Sequence, residues 1–420
     1  MVLVVLIGGV AGWMANKIRT QRRAIAAVQA AGGRIRFDFQ GEKVGMSGNR
    51  TLYRTEPTAP KWVRRWLGDE LFQSVKRVYS LKPTSPDQLA DVARFDGLEY
   101  LSLSDATKIG DGLRHLRGLS QLHRLWITPS GVTDVVLTEV AQIPSIRELI
   151  LKKELLSAPT VNAPATDQGF IRLANLMNVE TLEIKDCPNL TDSGASRMVE
   201  GMPRLRSLFL EGGPVSTTAT LPTLARAHPD LQSLGLDRSG VTDDDLKALE
   251  GMARLQHLQF QRTSIGDAGM VHLQPLKDLV SLLINSTNVT DQGMKSLGQL
   301  TSLKLLLVNN ARVTDAGLAN LEQMANLKHL AVGYSTITDS GMSSIARIVS
   351  LERLELNQVP LLTDAGLIPL EKLKNLKDLS ITETKATPEG IATLRKAIPT
   401  LSKVATQPRV RPTAGPAPSK

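Results

Sequence analysis

The sequence predicts an α/β solenoid, with a parallel sheet lining its concave side and helices on its convex side. Three observations support this fold class. The pattern L-x-x-L-x-L recurs along most of the chain, its central copies are 24 residues apart, and a segment of helical periodicity follows each copy. The last two leucines alternate, as a strand with one buried face requires. One such unit cannot bury its own apolar side, so neighbouring units must stack around a continuous core.

Twelve copies of the pattern can be recognised. They begin at Leu98, Leu122, Ile146, Val179, Leu205, Leu231, Leu255, Leu279, Leu303, Leu327, Leu351 and Leu376. The segment VKRVYSL at residues 75–81 is a degenerate opening copy, which gives twelve to thirteen repeats. A period of 20–29 residues with this leucine spacing is the signature of the leucine-rich repeat, whose units stack into a horseshoe.

A Thr-Asp pair follows the strand part of most copies. It occurs at residues 133–134, 166–167, 191–192, 242–243, 290–291, 314–315, 338–339 and 363–364. A catalytic or metal site is normally single, whereas this pair returns once per repeat. At a helix start, the Thr hydroxyl can accept a hydrogen bond from a free backbone N–H, and the Asp charge favours the positive helix end. We therefore interpret the pair as a helix cap, and the glycine two residues later as a point of close packing.

The repeat VTDAGLANLEQMANLKHLAV, residues 313–332, resembles the Thr-Asp-x-Gly-Leu repeats of F-box/LRR proteins and of many bacterial LRR proteins. The front of the chain resembles planctomycete membrane-anchored LRR proteins: an apolar segment is followed by NKIRTQRRAIAAVQAAGGRIRFDFQ and WVRRWLGDELFQSVKRV. The resemblance covers roughly residues 75–403 and implies a protein-binding solenoid without enzymatic activity. No F-box is evident, so a ubiquitin-ligase adaptor role is implied by the repeats alone.

The N-terminus favours membrane attachment. Residues 1–15 are uncharged and almost wholly apolar, and Lys17, Arg19 and Arg22 follow at once. A spanning helix needs about 20 apolar residues, so the segment is short for a span. A signal peptide and a buried core segment are the alternatives. We expect a single N-terminal span, with the positive-inside rule favouring a cytoplasmic solenoid. Gly8 and Gly12 form a G-x-x-x-G pattern that would allow a homodimer.

The remaining boundaries follow from composition. Residues 16–59 form a basic juxtamembrane region, with a helix ending at Gly32, a strand at 34–40 and a linker at 41–59. Residues 60–74 form a capping helix, in which Trp62, Trp66 and Leu67 share one face. Residues 75–403 form the solenoid, and the Pro-rich, acid-free residues 404–420 form a disordered tail.

Charge and reactive residues argue against several functional classes. Residues 1–80 hold 14 Lys/Arg and 5 Asp/Glu, which accounts for the whole net charge of +9 and fits a membrane surface better than nucleic acid. Cys187 is the only cysteine, so we expect a buried thiol and no disulfide. The six histidines form no tight ligand pair and are expected at the surface, and no phosphate loop, nucleotide fingerprint or nucleophile elbow occurs. We expect no enzyme, cofactor or metal.

The functional signal lies in the strand residues that face away from the helices. The third, fifth and seventh positions of each copy point into the concave face. The fifth-position row should be polar, but apolar residues interrupt it. We predict a protein-binding site that includes Trp126, Ile150, Phe209, Gln259, Leu283 and Leu307. The alternative is that the insertion at 152–165 or the N-terminal helix covers the first three.

The leading hypothesis is thus a membrane-tethered scaffold that binds another protein of unknown identity through the concave face. The second is a self-assembling envelope protein without a specific client, built through the G-x-x-x-G pattern. An unrecognised hydrolase is the third.

Overall fold

A computed structural model describes residues 2–38, 41–44, 50–53, 61–67, 73–104, 106–152, 165–213 and 218–407. The chain divides into two compact units, Met1–Pro214 and Val215–Lys420, hereafter unit 1 and unit 2. Each unit is built from repeats of one strand and one short helical segment.

The start of unit 1 precedes the repeats. Helix α1, Val2–Ala30, runs without a break through the predicted boundary at residue 15 and ends before Gly32, whose φ of +73° is readily adopted by glycine. Strand β1, Arg34–Phe37, is the predicted strand and pairs antiparallel with β4, Val75–Leu81. Within the described residues, no helix combines the length and apolar character that a membrane span requires.

The segment predicted as a linker contains a hairpin instead. Strands β2, Gly41–Val44, and β3, Arg50–Tyr53, pair antiparallel in a sheet of their own. The alternation of apolar and polar residues in TLY is too short to have been recognised as a strand. Within the range 60–74 predicted as a capping helix, helix α2 spans Lys61–Leu67. Residues 60 and 68–72 lie outside the described residues, and residues 73–74 are not helical.

The repeats of unit 1 stack in chain order. Strands β4 to β9 are parallel neighbours, and each pairs with the strand of the next repeat. The added strands are β5 Tyr100–Leu103, β6 Arg124–Ile127, β7 Glu148–Leu151, β8 Thr181–Lys185 and β9 Ser207–Glu211. The α-helices are α3 Gln88–Val92, α4 Asp134–Val140, α5 Asp167–Arg172 and α6 Asp192–Glu200, with 3-10 helices at Gly112–Gly118, Pro129–Gly131 and Leu173–Asn175.

Unit 2 follows the same plan with shorter strands. Its strands are β10 Ser233–Gly235, β11 His257–Gln259, β12 Ser281–Leu283, β13 Leu305–Leu307, β14 His329–Ala331, β15 Arg353–Glu355, β16 Asp378–Ser380 and β17 Lys403–Ala405, all parallel neighbours. Its α-helices are α7 Thr220–Ala227, α8 Asp267–Val271, α9 Asp291–Leu297, α10 Asp315–Ala319, α11 Met342–Ile345, α12 Asp364–Leu370 and α13 Pro388–Ala397, with 3-10 helices at Asp244–Leu249 and Asp339–Gly341.

Strand β17 corrects the predicted end of the solenoid. Its three residues, Lys403–Ala405, pair with β16, whereas the composition of residues 404–420 predicts a disordered tail. Backbone pairing with a complete neighbouring strand is enough to order these residues. The part of the tail from residue 408 onward lies outside the described residues.

The core lies between the sheet and the helical segments, as the leucine spacing predicts. The middle residue of each short strand is buried, as Leu258, Leu282, Leu306 and Leu330 illustrate in successive repeats. The apolar side chains of the helical segments that face the sheet are buried too, including Leu318, Leu321 and Met324. Identical positions in successive repeats pair in register, so one repeat's core residue always packs beside its counterpart.

The Thr-Asp pairs cap helices, as predicted, and they also join repeats. The Thr314 hydroxyl accepts a hydrogen bond from the backbone N–H of Ala316 at 3.3 Å and donates one to Asp291 Oδ2 at 2.6 Å. The backbone N–H of Thr314 donates to Asp291 Oδ1 at 2.8 Å. The same two bonds to the preceding aspartate recur at Asp134–Thr166, Asp167–Thr191, Asp267–Thr290, Asp315–Thr338, Asp339–Thr363 and Asp364–Thr387. The aspartate therefore accepts hydrogen bonds from the next repeat, in addition to placing its negative charge at the positive end of its own helix.

Thr242 is the exception among the predicted caps. Its backbone N–H and its hydroxyl both donate to Asp245 Oδ2 at 2.8 Å, and the helical segment is a 3-10 helix. In the sequence TDDDL, Asp245 lies three residues after Thr242. Its carboxylate accepts the hydrogen bonds of Thr242, so the Thr242 hydroxyl does not cap the helical segment. Asp243 keeps its role between repeats, because its Oδ1 accepts a hydrogen bond from the backbone N–H of Gly266 at 2.6 Å.

Candidate protein-binding face

The face of each sheet that lies opposite the helical segments is called the open face here. It consists of the third, fifth and seventh residues of each copy of the pattern. The register confirms that fifth-position residues are direct neighbours: Trp126 pairs with Ile150, and Leu283 pairs with Leu307. The sequence therefore predicted correctly which side chains adjoin one another on this face within each unit.

In unit 1, the indole of Trp126 is held in place by Lys152. Trp126 Nε1 donates a hydrogen bond to the backbone oxygen of Lys152 at 2.7 Å, and Lys152 Nζ lies 5.2 Å from the centroid of the ring. A cation above an aromatic face is attracted to it. Trp126 is half-buried, so part of its ring reaches solvent in a fixed orientation.

A row of alternating charges lies beside Trp126. Lys152 Nζ bonds both carboxylate oxygens of Glu183, at 2.8 and 3.0 Å, and Lys185 pairs with Glu183 and Glu211. Although burial alone would lower it, the pKa of Lys185 is raised, because Glu211 and Glu183 both stabilise its ammonium form. These four charges compensate one another, so this row provides a polar border rather than a site for a charged ligand.

The predicted apolar cluster of unit 1 is only partly exposed. Ile150 is 7% exposed and belongs to the core. Its paired neighbours on the open face are the larger Trp126 and Glu183. Phe209 is half-buried beside Glu183. The insertion proposed to cover this cluster lies, for residues 153–164, outside the described residues.

In unit 2, the open face carries a patch of leucines. Leu283, Leu305 and Leu307 are half-buried, and we call these three residues the leucine patch. Leu305 was not among the residues predicted for the site, although its third-position place on the strand could have identified it. Gln259, the predicted polar neighbour, is half-buried and pairs with Leu283. Ala331 pairs with Leu307 from the following strand, β14, and is fully buried, so the open face is recessed at this position.

A ladder of side-chain amides borders the leucine patch. Asn285 Oδ1 accepts a hydrogen bond from the backbone N–H of Asn309 at 2.9 Å, and Asn309 Oδ1 accepts one from Gly333 at 2.7 Å. Asn285 Nδ2 donates to Gln261 Oε1 at 2.7 Å. These amides satisfy the turns between repeats, and they are therefore structural rather than ligand-binding.

From strand β14 onward, the open face carries ionisable side chains. His329 Nε2 lies 3.1 Å from Glu355 Oε1, and Arg353 Nε donates to the same oxygen at 2.9 Å. The hydrogen bond with His329 and the charge of Arg353 hold the pKa of Glu355 below its ordinary value, despite an opposing effect of burial. Arg353, Asp378 and Lys403 are direct neighbours across β15, β16 and β17.

A cavity of about 380 Å³ opens at this charged end. It is lined by residues of the last three strands and of the adjoining turns, including Tyr334, Arg353, Asp378, Glu383 and Lys403. One carboxylate oxygen, Asp378 Oδ1, is enclosed by protein and accepts no hydrogen bond within the described residues. Lys403 Nζ is 3.8 Å from it, which is beyond hydrogen-bonding distance.

Other candidate groups have structural roles. The Cys187 thiol is buried, as predicted, and burial together with the charge of Asp186 raises its pKa to about 12. His228 is 4% exposed, contrary to the surface position expected of the histidines, because its repeat places it at the buried end of α7. Among the described residues, no group of three His, Cys, Asp or Glu side chains is arranged to hold a metal ion.

Comparison with known proteins identifies the repeats. A family described as "Leucine Rich repeat" matches residues 323–346, which run from the turn after α10 through strand β14 to the end of helix α11. The matched segment is thus similar to a leucine-rich repeat. F-box/LRR-repeat protein 4 of Bos taurus is 28% identical over 156 residues, which is 36% of this chain. The match spans only 24% of that relative's length.

Solved structures share the leucine-rich-repeat fold of this chain. An internalin from Listeria monocytogenes has a TM-score of 0.50 and 21% identity, covering 76% of this chain and 92% of the internalin. A leucine-rich-repeat protein of Leptospira interrogans has a TM-score of 0.54 and 17% identity, covering 83% of this chain and 92% of that one. At this level of identity, the likeness concerns the fold alone.

Proposed function

We propose that this leucine-rich-repeat protein is a non-catalytic scaffold that binds another protein on its open face, which the sequence predicts to be concave. The observation that carries the proposal is the leucine patch. Three half-buried leucines from two adjacent strands form an apolar surface that the protein's own described residues do not bury completely. Amides border it on one side and charges on another, as the polar rim borders the apolar centre of many interfaces.

Unit 1 supports the proposal with aromatic residues. Trp126 and Phe209 are half-buried on the same kind of face, and Trp126 is oriented by two contacts with Lys152. Aromatic side chains that are fixed before binding lose little conformational freedom on association and are frequent hot spots. Ile150 contributes to the support beneath this surface rather than to the surface itself.

The test is the double substitution Leu283→Asp and Leu307→Asp, made in the full chain. Two carboxylates on the open face should abolish capture of the partner in a crosslinking experiment in the source cells, because an apolar contact would become a buried unpaired charge. The half-buried side chains point away from the core, so the thermal transition should remain cooperative.

Ile368→Asp provides the matched control, since this side chain is 64% exposed on helix α12. It should leave the crosslinked partner unchanged. Equal capture by the double variant and the control would contradict the proposed binding face.

The proposal includes a membrane tether at the N-terminus. Its support is the uncharged apolar run of residues 1–15, which is followed directly by basic residues and which forms one helix with them. The positive-inside rule would then favour a cytoplasmic solenoid. Self-association through Gly8 and Gly12 belongs to the same proposal, and capture of only this chain in the crosslinking experiment would favour a self-assembling envelope protein.

A further inference from the structure

A second cavity of unit 2 lies at the edge of the sheet where the strands end, apart from the open face. Its volume is about 830 Å³, and the turns of four successive repeats line it. In each repeat, the lining comes mainly from the three residues that follow the seventh position of the pattern. We call this cavity the turn groove. It is a separate site from the proposed protein-binding face.

The turn groove has polar walls and a floor of small residues. The floor is the ninth position, where Thr287 and Ala311 are only 7% and 8% exposed. One wall is the eighth position, whose residues all have a left-handed φ between 53° and 58°: Ser286, Asn310, Tyr334 and Gln358. The other wall is the tenth position: Asn288, Arg312, Thr336 and Pro360. Hydrogen bonds to a ligand must come from the walls, because the Thr287 hydroxyl already donates to a backbone oxygen of its own repeat at 2.8 Å.

The walls carry polar groups that the fold does not use. Within the described part of the chain, the guanidinium of Arg312, the hydroxyl of Tyr334 and the amide of Gln358 form no hydrogen bond or ion pair. Asn310 Nδ2 donates to Ser286 Oγ at 3.1 Å, which leaves Asn310 Oδ1 as an acceptor. Donors and acceptors of both kinds are therefore available along the groove.

Arg312 sets the sign of the charge in the turn groove. It is the one charged residue among the described residues that line the groove, and none of their carboxylates forms an ion pair with it. Arg353 on the open face, by contrast, is bonded to Glu355. A guanidinium binds a carboxylate through two parallel N–H groups. The groove therefore favours a ligand with carboxylate groups over a cationic one.

Tyr334 adds an aromatic surface to these polar groups. Its side chain is 51% exposed and lines the same groove as Arg312. Tyrosine suits a contact in which one side is apolar and the other is wet. A sugar ring has this character, because its C–H groups form an apolar face and its hydroxyls lie around the rim. The combination of an exposed ring with amides and hydroxyls thus favours a carbohydrate.

The backbone of the walls offers little to a peptide. The N–H groups of all four eighth-position residues donate to carbonyl groups of the following repeat, and those of Asn288 and Arg312 donate to the preceding one. A peptide that added as a strand would need free main-chain groups at this edge. Recognition in the groove must use side chains, which suits a ligand whose hydroxyls and carboxylates are carried on rigid rings.

We propose that the turn groove binds an oligosaccharide that carries carboxylate groups. A carboxylate is bound by Arg312, a sugar ring packs on Tyr334, and hydroxyls bond with Asn310 and Gln358. Three strand intervals of about 4.8 Å separate Ser286 from Gln358, so the groove is about 14 Å long. This length suits a short chain of sugar rings rather than a single ring.

The test measures binding of the full chain by calorimetry. The probes are hexamers of galacturonate, glucuronate and mannuronate, each with its neutral methyl ester, and hexaglutamate as an acidic peptide. At least one uronate hexamer should bind, and its ester should bind at least fivefold more weakly. Arg312→Gln should weaken binding of the acid by about tenfold, the effect of losing one charge-assisted hydrogen bond, and leave binding of the ester unchanged. Tyr334→Asn should weaken both, and asparagine tolerates the left-handed φ of 56° at this position.

Arg254→Gln is the matched control. Arg254 is exposed and, like Arg312, forms no ion pair within the described part of the chain, but it precedes strand β11 and so lies at the opposite edge of the sheet. This variant should bind the hexamers as the unchanged chain does. Equal binding of acid and ester, equal losses in Arg312→Gln and Arg254→Gln, tighter binding of hexaglutamate than of any uronate, or no binding of any hexamer would each overturn the proposal.

The turn groove and the protein-binding face can be tested separately. Leu283→Asp with Leu307→Asp should abolish capture of the protein partner and leave the affinity for the uronate hexamer unchanged. Arg312→Gln should have the opposite pair of effects. Loss of hexamer binding in the leucine double variant would place the oligosaccharide on the open face and overturn the assignment to the groove.

Discussion

Gly317 shows how closely neighbouring repeats approach each other at a single residue. A Cβ atom on Gly317 would lie 2.3 Å from Asp291 Oδ1 and 2.9 Å from a methyl carbon of Val313. Asp291 is fixed by its bonds to Thr314, so it cannot move aside without losing them. The glycine is therefore required by the carboxylate of the preceding repeat.

The substitution Gly317→Ala should destabilise the protein by about 1–3 kcal/mol, the usual cost of overpacking a close contact. The measurement is the free energy of unfolding in urea. Gly251→Ala is the matched control, because a Cβ there would meet nothing within 4 Å. If both substitutions had equally small effects, the close packing of Gly317 would not be a constraint.

Asp364 gives a prediction for the effect of pH. The hydroxyl and the backbone N–H of Thr387 donate hydrogen bonds to its carboxylate and lower its pKa. A carboxyl whose pKa is lowered in the folded state stabilises the protein above its unfolded pKa of about 3.9, and this stability is lost as the pH falls through the lowered value. The difference in unfolding free energy between the unchanged protein and Asp364→Asn should thus be complete at pH 6 and disappear in stronger acid.

A double-mutant cycle tests the cause of this pH dependence. In a Thr387→Val background, where the hydroxyl donor is gone, the effect of Asp364→Asn should be smaller and should depend less on pH. An unchanged pH profile in that background would mean that Thr387 does not control the carboxylate.

At the scale of the element, the helices are too short to be stable alone. Helix α10 has five residues, and an isolated helix of that length does not form in water. Its start is fixed by the Thr314 cap and its position by the bonds from Thr314 to the preceding repeat. The Thr-Asp pair predicts the cap, but the bond to the previous aspartate joins residues 23 positions apart, which no local pattern indicates.

Thr314→Val should cost about 1–2 kcal/mol of stability, because it removes a helix cap and the hydroxyl bond to Asp291 together. Thr314→Ser keeps the hydroxyl and should recover most of the loss. The readout is again urea unfolding, with far-ultraviolet circular dichroism as a check on helix content. If Thr314→Ser were as unstable as Thr314→Val, the methyl group of Thr314, and not its hydroxyl, would account for the stability that it contributes.

Two local elements differ from what the sequence predicts. The hairpin of β2 and β3 was missed because strands of four residues carry too little periodicity to be distinguished from a linker. The cap predicted at Thr242 was wrong because TDDDL contains three carboxylates, and Asp245 is the one that accepts the hydrogen bonds of Thr242. The leucine spacing, by contrast, predicted the strands of the repeats and the side chains that would be buried.

For the molecule as a whole, the boundary between the two compact units falls between Pro214 and Val215. This boundary lies in the sequence EGGPVSTT, within the repeat that begins at Leu205. The leucine pattern continues on both sides, so the pattern alone predicted one solenoid. Division into compact units depends on how densely distant residues pack, which the spacing of leucines does not reveal.

The proposed membrane tether gives a further prediction. Replacing Leu3, Val5 and Leu6 by Ser in the full chain should move the protein from the membrane pellet to the supernatant after cell lysis, since it removes apolar area from the N-terminal segment. Val135→Ser, Val271→Ser and Val349→Ser form the control, because these exposed apolar side chains lie in the repeats. An unchanged distribution of the first variant would contradict the tether.

Local periodicity in the sequence predicts the repeat, its strand and helical parts, the buried leucines and the row of residues that adjoin one another on the open face. It does so because each repeat meets its neighbour in the same register. The folded structure was needed to see that Ile150 is buried, that Leu305 joins Leu283 and Leu307 at the surface, and that Asp378 Oδ1 is enclosed without a hydrogen bond from the described residues. Exposure and pairing of this kind depend on the size and reach of side chains from neighbouring strands, about 24 residues away in the chain, and no local pattern contains that information.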